Sequence, residues 1–299
     1  MDLVTKSLDY DKTILMASEL SGIYEKDVIF HFFWNGELSE KHLMAIKSCY
    51  YFNVFNHVNK KIILWLENNQ ENQWNYRIGK YAEVRQFIYE KEVVSCVGEK
   101  YAEKSLGIEE DEEETTAYDL RERANLIRLA LLYKYGGVWL DADVYCTRNF
   151  SPLFANYGDR LCMYQAGKNR FGVKTNYPNN AVIISLTPYS KEMIDSLEYL
   201  RRAGGFSSMR NTTYESELSW KILPCSWFDP TWVANHKRIR MKGGFFNPRW
   251  RDFNFGNFFP GCFAFHWHNQ WDQPLGKDCI ARQLDNIIND RISLGDTVV

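Results

Sequence analysis

The 299-residue chain has a net charge of only −2 and no basic tail. Proteins that hold nucleic acid set clustered Lys and Arg against phosphate, so nucleic acid is excluded as an expected partner. No run of about 18 apolar residues occurs, and Met1-Asp2-Leu3 opens with an acid where a secretory signal would be basic. The expectation is a cytoplasmic protein with no transmembrane segment. Seven cysteines are odd in number and scattered, with no Cys-x-x-Cys pair. They argue against a zinc site of cysteines and a disulfide framework, and fit a reducing compartment. No repeat, low-complexity tract or clear linker appears. At this length the economical reading is one α/β domain over residues 1–299.

Hydrophobic patterning is abundant. Asp2 to Tyr24 reads as one or two helices outside the sheet, an N-terminal extension over residues 1–24. Strands are expected at Val28–Trp34, Lys61–Glu67 and Val93–Val97, with a helix at about Ser39–Phe55 between the first two. This βαβ alternation predicts a parallel, Rossmann-like half. Further strands are expected near Arg160–Tyr164 and Ala181–Ser185, then a helix at Tyr189–Arg202 and a closing helix at about 277–293. Glu109–Glu114 is a run of six acids, read as a solvated loop. Ten Trp and eighteen Tyr supply aromatic faces that suit sugar rings, although most are expected in the core.

The most informative stretch is Arg121 to Thr147. A helical pattern ends at Gly136-Gly137, and a short apolar run leads to Asp141-Ala142-Asp143. In a strand, positions i and i+2 share a side, which sets the two carboxylates roughly 6–7 Å apart. Hard divalent cations take carboxylate oxygens, and substrate phosphates often complete the shell. Arg121, Asn125, Arg128 and Leu132 follow one helix face, beside an apolar stripe of Ala124, Ile127, Leu131 and Tyr135. Arg128 would therefore approach phosphates held at the Asp pair, where its planar fork can donate two parallel hydrogen bonds.

Asn125, Arg128, Gly136, Gly137, Trp139, Leu140, Asp141 and Asp143 together resemble the signature of the DXD-containing glycosyltransferase family. That family includes the fungal initiating α-1,6-mannosyltransferase, bacterial capsule sugar transferases and the catalytic domain of the large glucosylating toxins. Val28 to Gly36 resembles the family's Ile-His-x-x-Trp opening, which makes Trp34 the candidate platform for the donor base; His31 reads as a core histidine. Phe263 to Trp271 resembles its His-Trp-x-x-Ser-Trp closing segment. There His266 takes the His position, Gln270 replaces Ser, and His268 is an addition. If this segment is extended, alternation sets His266 and His268 on one face. An imidazole among the ligands would suit Mn²⁺ better than Mg²⁺. Asn179-Asn180 resembles the family's Asn-containing strand, so Asn180 is a candidate sugar contact.

The resemblance implies a GT-A type α/β fold, a Rossmann-like mixed sheet flanked by helices. It implies a metal-dependent transferase that moves a sugar from a nucleotide-sugar donor, UDP-linked by preference and GDP-linked as the alternative. The acceptor would be a glycan, a lipid-linked sugar or a protein, and configuration would be retained. Asp143 would ligate Mn²⁺, or Mg²⁺ as the alternative, with Asp141, His266 and His268 as further candidate ligands. Asp141 would also touch the donor, together with Trp34, Asn125, Arg128 and Asn180. Asp141, Asp143 and Arg128 are the catalytic candidates, and Glu215, Glu217 and Asp229 are candidate acids on the acceptor side. Two other classes remain: a haloacid-dehalogenase-like phosphatase using Asp141 and Asp143, and a non-catalytic carbohydrate-binding relative.

Overall fold

The computed structural model describes residues 9–68, 71–98, 117–166, 178–203, 220–233, 244–248 and 251–296. Glu109–Glu114, Glu215 and Glu217 lie outside them, as does the side chain of Arg121. Val28–Asn35 (β1) and Lys60–Glu67 (β2) are parallel neighbours, paired from Val28 opposite Lys60 to Asn35 opposite Glu67. Glu83–Gln86 (β3) joins the outer side of β2, and Gly137–Leu140 (β4) joins the other side of β1, both parallel. Pro178–Ser185 (β7) runs antiparallel to β4, and Cys162–Gln165 (β6) antiparallel to β7. Lys221–Leu223 (β8) closes the row parallel to β6, giving the order β3-β2-β1-β4-β7-β6-β8. Val144–Cys146 (β5) and Ala264–His266 (β9) form a separate antiparallel pair.

The two-residue period of the strands divides the core between the sheet's faces. Phe30, Phe32, Ile62, Leu64, Leu66, Val138 and Leu140 pack on one side, with the helices Glu40–Cys49 (α2) and Ile280–Leu294 (α7). Ile63, Trp65, Trp139 and Ile183 pack on the other, against the helix Ala117–Tyr135 (α4). With both faces covered, the strands read as apolar runs with little alternation. In α4, Leu126, Ile127, Leu129, Ala130, Leu131 and Leu132 are all buried. Each large aliphatic side chain contributes about 1.5–3 kcal/mol on burial, so they fix the helix's rotation and with it the aim of Asn125 and Arg128.

Two glycines join α4 to β4. Gly136 and Gly137 have φ of 64° and 106°, left-handed values that favour glycine. A side chain at Gly136 would also meet the Leu186 carbonyl at 2.6 Å, and one at Gly137 would run into the Ile29 carbonyl. His31 is wholly buried, with Nε2 2.9 Å from the Gly136 carbonyl and Nδ1 accepting from Trp65 Nε1, so it is a core histidine as expected. Burial pulls its imidazole down to about 4.

The mixed, Rossmann-like sheet flanked by helices is the architecture expected, with corrections. Val93–Val97 is not a strand: Glu90–Val94 forms a π-helical turn that runs into Ser95–Val97. Val93 is buried in the same core as α4, so its apolar character comes from helix packing. The third strand is β3, whose Glu-Val-Arg-Gln sequence sits at the sheet edge and carries no apolar run. The helix expected at Ser39–Phe55 begins at its Ser39 cap but gives way to a π-helical turn at Tyr50–Val54. Of the N-terminal extension, Tyr10–Glu19 (α1) is helical within the described residues.

Candidate functional site

Strand order decides where a site forms. Chain order sets β2 on one side of β1 and β4 on the other, and open α/β sheets bind ligands beyond the carboxyl ends at such a switch point. A cleft of about 860 Å³ opens there. It is lined by Trp34 from the end of β1, Asn125 and Arg128 from α4, Asp141 and Asp143 after β4, Asn180 from β7, and His266 from β9. Seven of the eight candidate site residues thus converge. His268 is the exception, turned toward Asp229 and Trp232.

The Asp pair converges, but not through a strand. β4 ends at Leu140, and the chain turns, with Asp141 N–H donating to Ala181 O (2.8 Å) and Val144 N–H to Asp141 O (3.0 Å). Asp141 is held by nearby chain: Trp139 Nε1 donates to Oδ1 at 2.7 Å, and Arg128 Nη1 lies 3.3 Å from the same oxygen. Arg128 also donates to the Asn180 carbonyl at 2.7 Å, and Asn180 Nδ2 donates to Asn125 Oδ1 at 2.7 Å. The polar face of α4 is therefore tied to β7 and to the Asp loop together.

Asp143 is buried and has a different set of partners. Its Oδ2 accepts from Asn269 N–H at 2.8 Å and lies 3.2 Å from His266 Nε2. Burial opposes the charge of both groups. The attraction between them outweighs it, pulling Asp143 down to about 2 and pushing His266 up to about 9, with Asp229 and Asp141 adding to the latter. His266 Nδ1 is 3.1 Å from the Tyr164 hydroxyl. β9 stops at His266, and His268 and Asn269 both adopt left-handed φ of 53°. The expectation of an extended segment there is corrected. The rings of His266 and His268 still meet, with centroids 4.0 Å apart, because the backbone turns.

Lys41 fixes the next turn of the same segment. Its buried ammonium donates to the carbonyls of Gln270, Trp271 and Gln273 at 2.5, 2.9 and 2.5 Å. This sets Trp271 against Trp34, centroids 4.7 Å apart, so the two indoles form one aromatic wall of the cleft. Among the described residues, two groups of three could hold a cation: Asp141, Asp143 and His266, and Asp229, His266 and His268. Two carboxylates and an imidazole suit a divalent ion such as Mn²⁺. Trp139, Trp271 and Asn269 gained no separate role from the sequence, since their contribution depends on contacts made across the fold. Arg123 also lines the cleft and pairs with Glu67 at 2.5 Å, but nothing in its spacing marks it out.

Together these features form an α/β cleft with a group of two carboxylates and an imidazole at its mouth that could hold a cation. Residues 39–159 match the family model described as "Glycosyltransferase sugar-binding region containing DXD motif". Over that region, about two fifths of its length, the chain is similar to the DXD-containing glycosyltransferases. A 32-residue stretch is 56% identical to inositol phosphoceramide mannosyltransferase 3 of Schizosaccharomyces pombe, covering 11% of this chain and 9% of that relative. Solved structures similar to it include mouse xyloside xylosyltransferase 1, at 12% identity over 83% of this chain and 99% of that one, TM-score 0.43. GlyE of Streptococcus pneumoniae is 16% identical over 90% and 64%, TM-score 0.44, and the galactosyltransferase LgtC 11% over 91% and 98%, TM-score 0.43. No described helix is long and apolar enough to cross a membrane.

Proposed function

We propose that this chain transfers a sugar from a nucleotide-sugar donor, preferentially UDP-linked, to a hydroxyl acceptor, with a divalent cation and with retention of configuration. The observation that carries the reading is the convergence of Asp141, Asp143 and His266. Their ligand atoms lie within 4.8 Å of one another at the mouth of a cleft that also holds Arg128 and the Trp34–Trp271 wall. The indole wall would stack on the base, and Arg128 would face the diphosphate. Asn125 and Asn180 would hydrogen-bond the donor sugar. A bound Mn²⁺ would neutralise the charge that grows on the departing diphosphate. Asp141, held by Trp139 and Arg128, keeps its carboxylate aimed into the cleft and presents it ready-oriented.

The phosphatase reading is not favoured. It needs the first carboxylate free to attack phosphorus, whereas Asp141 is engaged by Trp139 and Arg128. A panel of nucleotide sugars with Mn²⁺, scored for free nucleotide, tests the proposal. Release from one donor and none from simple phosphate esters is expected. Release of inorganic phosphate from esters, with no nucleotide from any donor, would overturn it.

A further inference from the structure

We propose that Arg123, held in place by Glu67, selects the donor base, donating to the carbonyl oxygen at C4 of uracil and refusing the amino group at C4 of cytosine. This rests on the proposed function in taking the cleft as the site of a nucleoside diphosphate. Arg123 lines the cleft together with Phe33, Trp34 and Asn35 of β1. Strand order sets it at the end away from the cation group. β1 lies between β4, which leads into Asp141, and β2, which ends at Glu67. Neighbouring strands are about 4.8 Å apart, which sets the ends of β2 and β4 roughly 10 Å from one another with Trp34 between them. Glu67 stands opposite Asn35 in the register, one residue beyond Trp34. On α4, Arg123 precedes Arg128 by about 7.5 Å along the helix axis. A diphosphate at Arg128 with its base on Trp34 therefore turns the polar edge of that base toward Arg123.

The pair is built to present donors. Arg123 Nη1 and Nη2 donate to Glu67 Oε2 and Oε1 at 2.6 and 2.5 Å, and the guanidinium lies over the buried Tyr89 ring, 4.6 Å from its centroid. A bidentate carboxylate at one edge and a ring on one face fix its plane. A guanidinium has five N–H groups and no acceptor. Glu67 takes two, and the other three have no partner among the described residues. A carbonyl oxygen meets such a group well. An exocyclic amino group sets N–H against N–H and leaves both desolvated and unpaired. Stacking tolerates any base, so Trp34 does not separate uracil from cytosine and the choice falls to the group at C4. Glu67 acts through Arg123, as a positioning residue.

The test is calorimetric titration of the full chain with UDP and with CDP, Mn²⁺ present. The wild type should bind UDP at least about tenfold more tightly than CDP, the discrimination that a charged hydrogen bond supplies. In Arg123→Ala the UDP affinity should fall until the two nucleotides bind within about twofold of each other, since stacking alone remains. Glu67→Gln keeps the side-chain shape and should narrow the ratio in the same sense, whereas a general loosening of the cleft would weaken both nucleotides alike. Arg123→Ala leaves Glu67 without its partner. If that variant does not fold, Arg123→Met combined with Glu67→Gln removes both charges together and decides. Equal affinity for UDP and CDP in the wild type would overturn the assignment, as would an unchanged ratio in Arg123→Ala or a parallel loss of both nucleotides. The two proposals fail separately. A chain that discriminates in this way but releases no nucleotide from any sugar donor would sink the transfer reaction and leave the base selection standing. Release from a UDP-sugar, with the ratio intact in Arg123→Ala, would do the opposite.

Discussion

The two walls of the cleft are built in different ways. The Asp141 wall is made by β1, α4 and β4, and its polar side chains lean on residues close in sequence or on the strand next door. The Asp143 wall is made by turns and short strands, where each contact joins segments more than a hundred residues apart. The Asp141 side chain is 26% exposed and that of Asp143 only 6%. Water can screen the first and not the second, so the same residue type carries different energetic weight at two positions separated by a single alanine.

The largest expected effect separates the walls directly. Asp143→Ala should lower metal-dependent turnover by roughly 10³-fold or more. It should also reduce stability by about 3–5 kcal/mol, because His266 and the Asn269 amide lose a buried partner. Asp141→Ala should abolish turnover as well but cost only about 1 kcal/mol, since Arg128 keeps the Asn180 carbonyl. Nucleotide-release assays and urea unfolding of both variants measure this. Equal destabilisation by the two substitutions would break the contrast.

A second difference is in pH. His266 has its pKa raised to about 9, so in the metal-free protein it contributes stability that is complete below about 6.5 and lost as pH rises through about 9. A cation on this imidazole must displace its proton, so metal affinity should move the opposite way, rising by up to about tenfold per pH unit to pH 9. Mn²⁺ titrations between pH 6 and 9 should show that slope in the wild type and a flat line in His266→Gln. A slope that survives in His266→Gln would take the imidazole out of the ligand set.

Donor binding sharpens the comparison on the Asp141 side. Arg128→Ala should weaken nucleoside diphosphate binding by about 3 kcal/mol and leave the nucleoside nearly untouched, because its partner would be phosphate. Trp34→Ala should weaken both by about 1–3 kcal/mol. Calorimetry with Mn²⁺ present separates them. Trp34 already packs on Trp271 and His42 and donates to the Glu37 carbonyl, so unchanged nucleotide affinity in the variant would reduce it to a packing residue.

The same asymmetry governs how much could be read in advance. Val28 to Asn35, the helical register of Asn125 and Arg128, and the Gly136-Gly137 joint were legible because each rests on a local rule: a buried strand's apolar run, the helix period, and the need for glycine at left-handed φ. β3 was not legible, since an edge strand of polar residues carries no such pattern. Asp229 reads from the sequence as an acceptor-side acid, and nothing in Trp227-Phe228-Asp229-Pro230 announces a carboxylate buried against two histidines.

Sequence alone determined which chemistry this chain carries: the Asp pair, the Arg and Asn on one helical face, the indole at the end of the first strand, and the two histidines near its C-terminal end. Residue type and short-range spacing were enough for the Asp pair and the helix face, because helix and strand geometry repeat wherever the pattern occurs, whereas Trp34, His266 and His268 rested on the family resemblance. Only the tertiary structure decided how the ligands group. The turn after Leu140 gives Asp141 and Asp143 different partners, and the left-handed pair at His268 and Asn269 ends the strand at His266 while the two imidazoles still meet. His266 therefore stands between two carboxylate sets. That position comes from the packing of segments far apart in the chain, whose mutual burial no local pattern records.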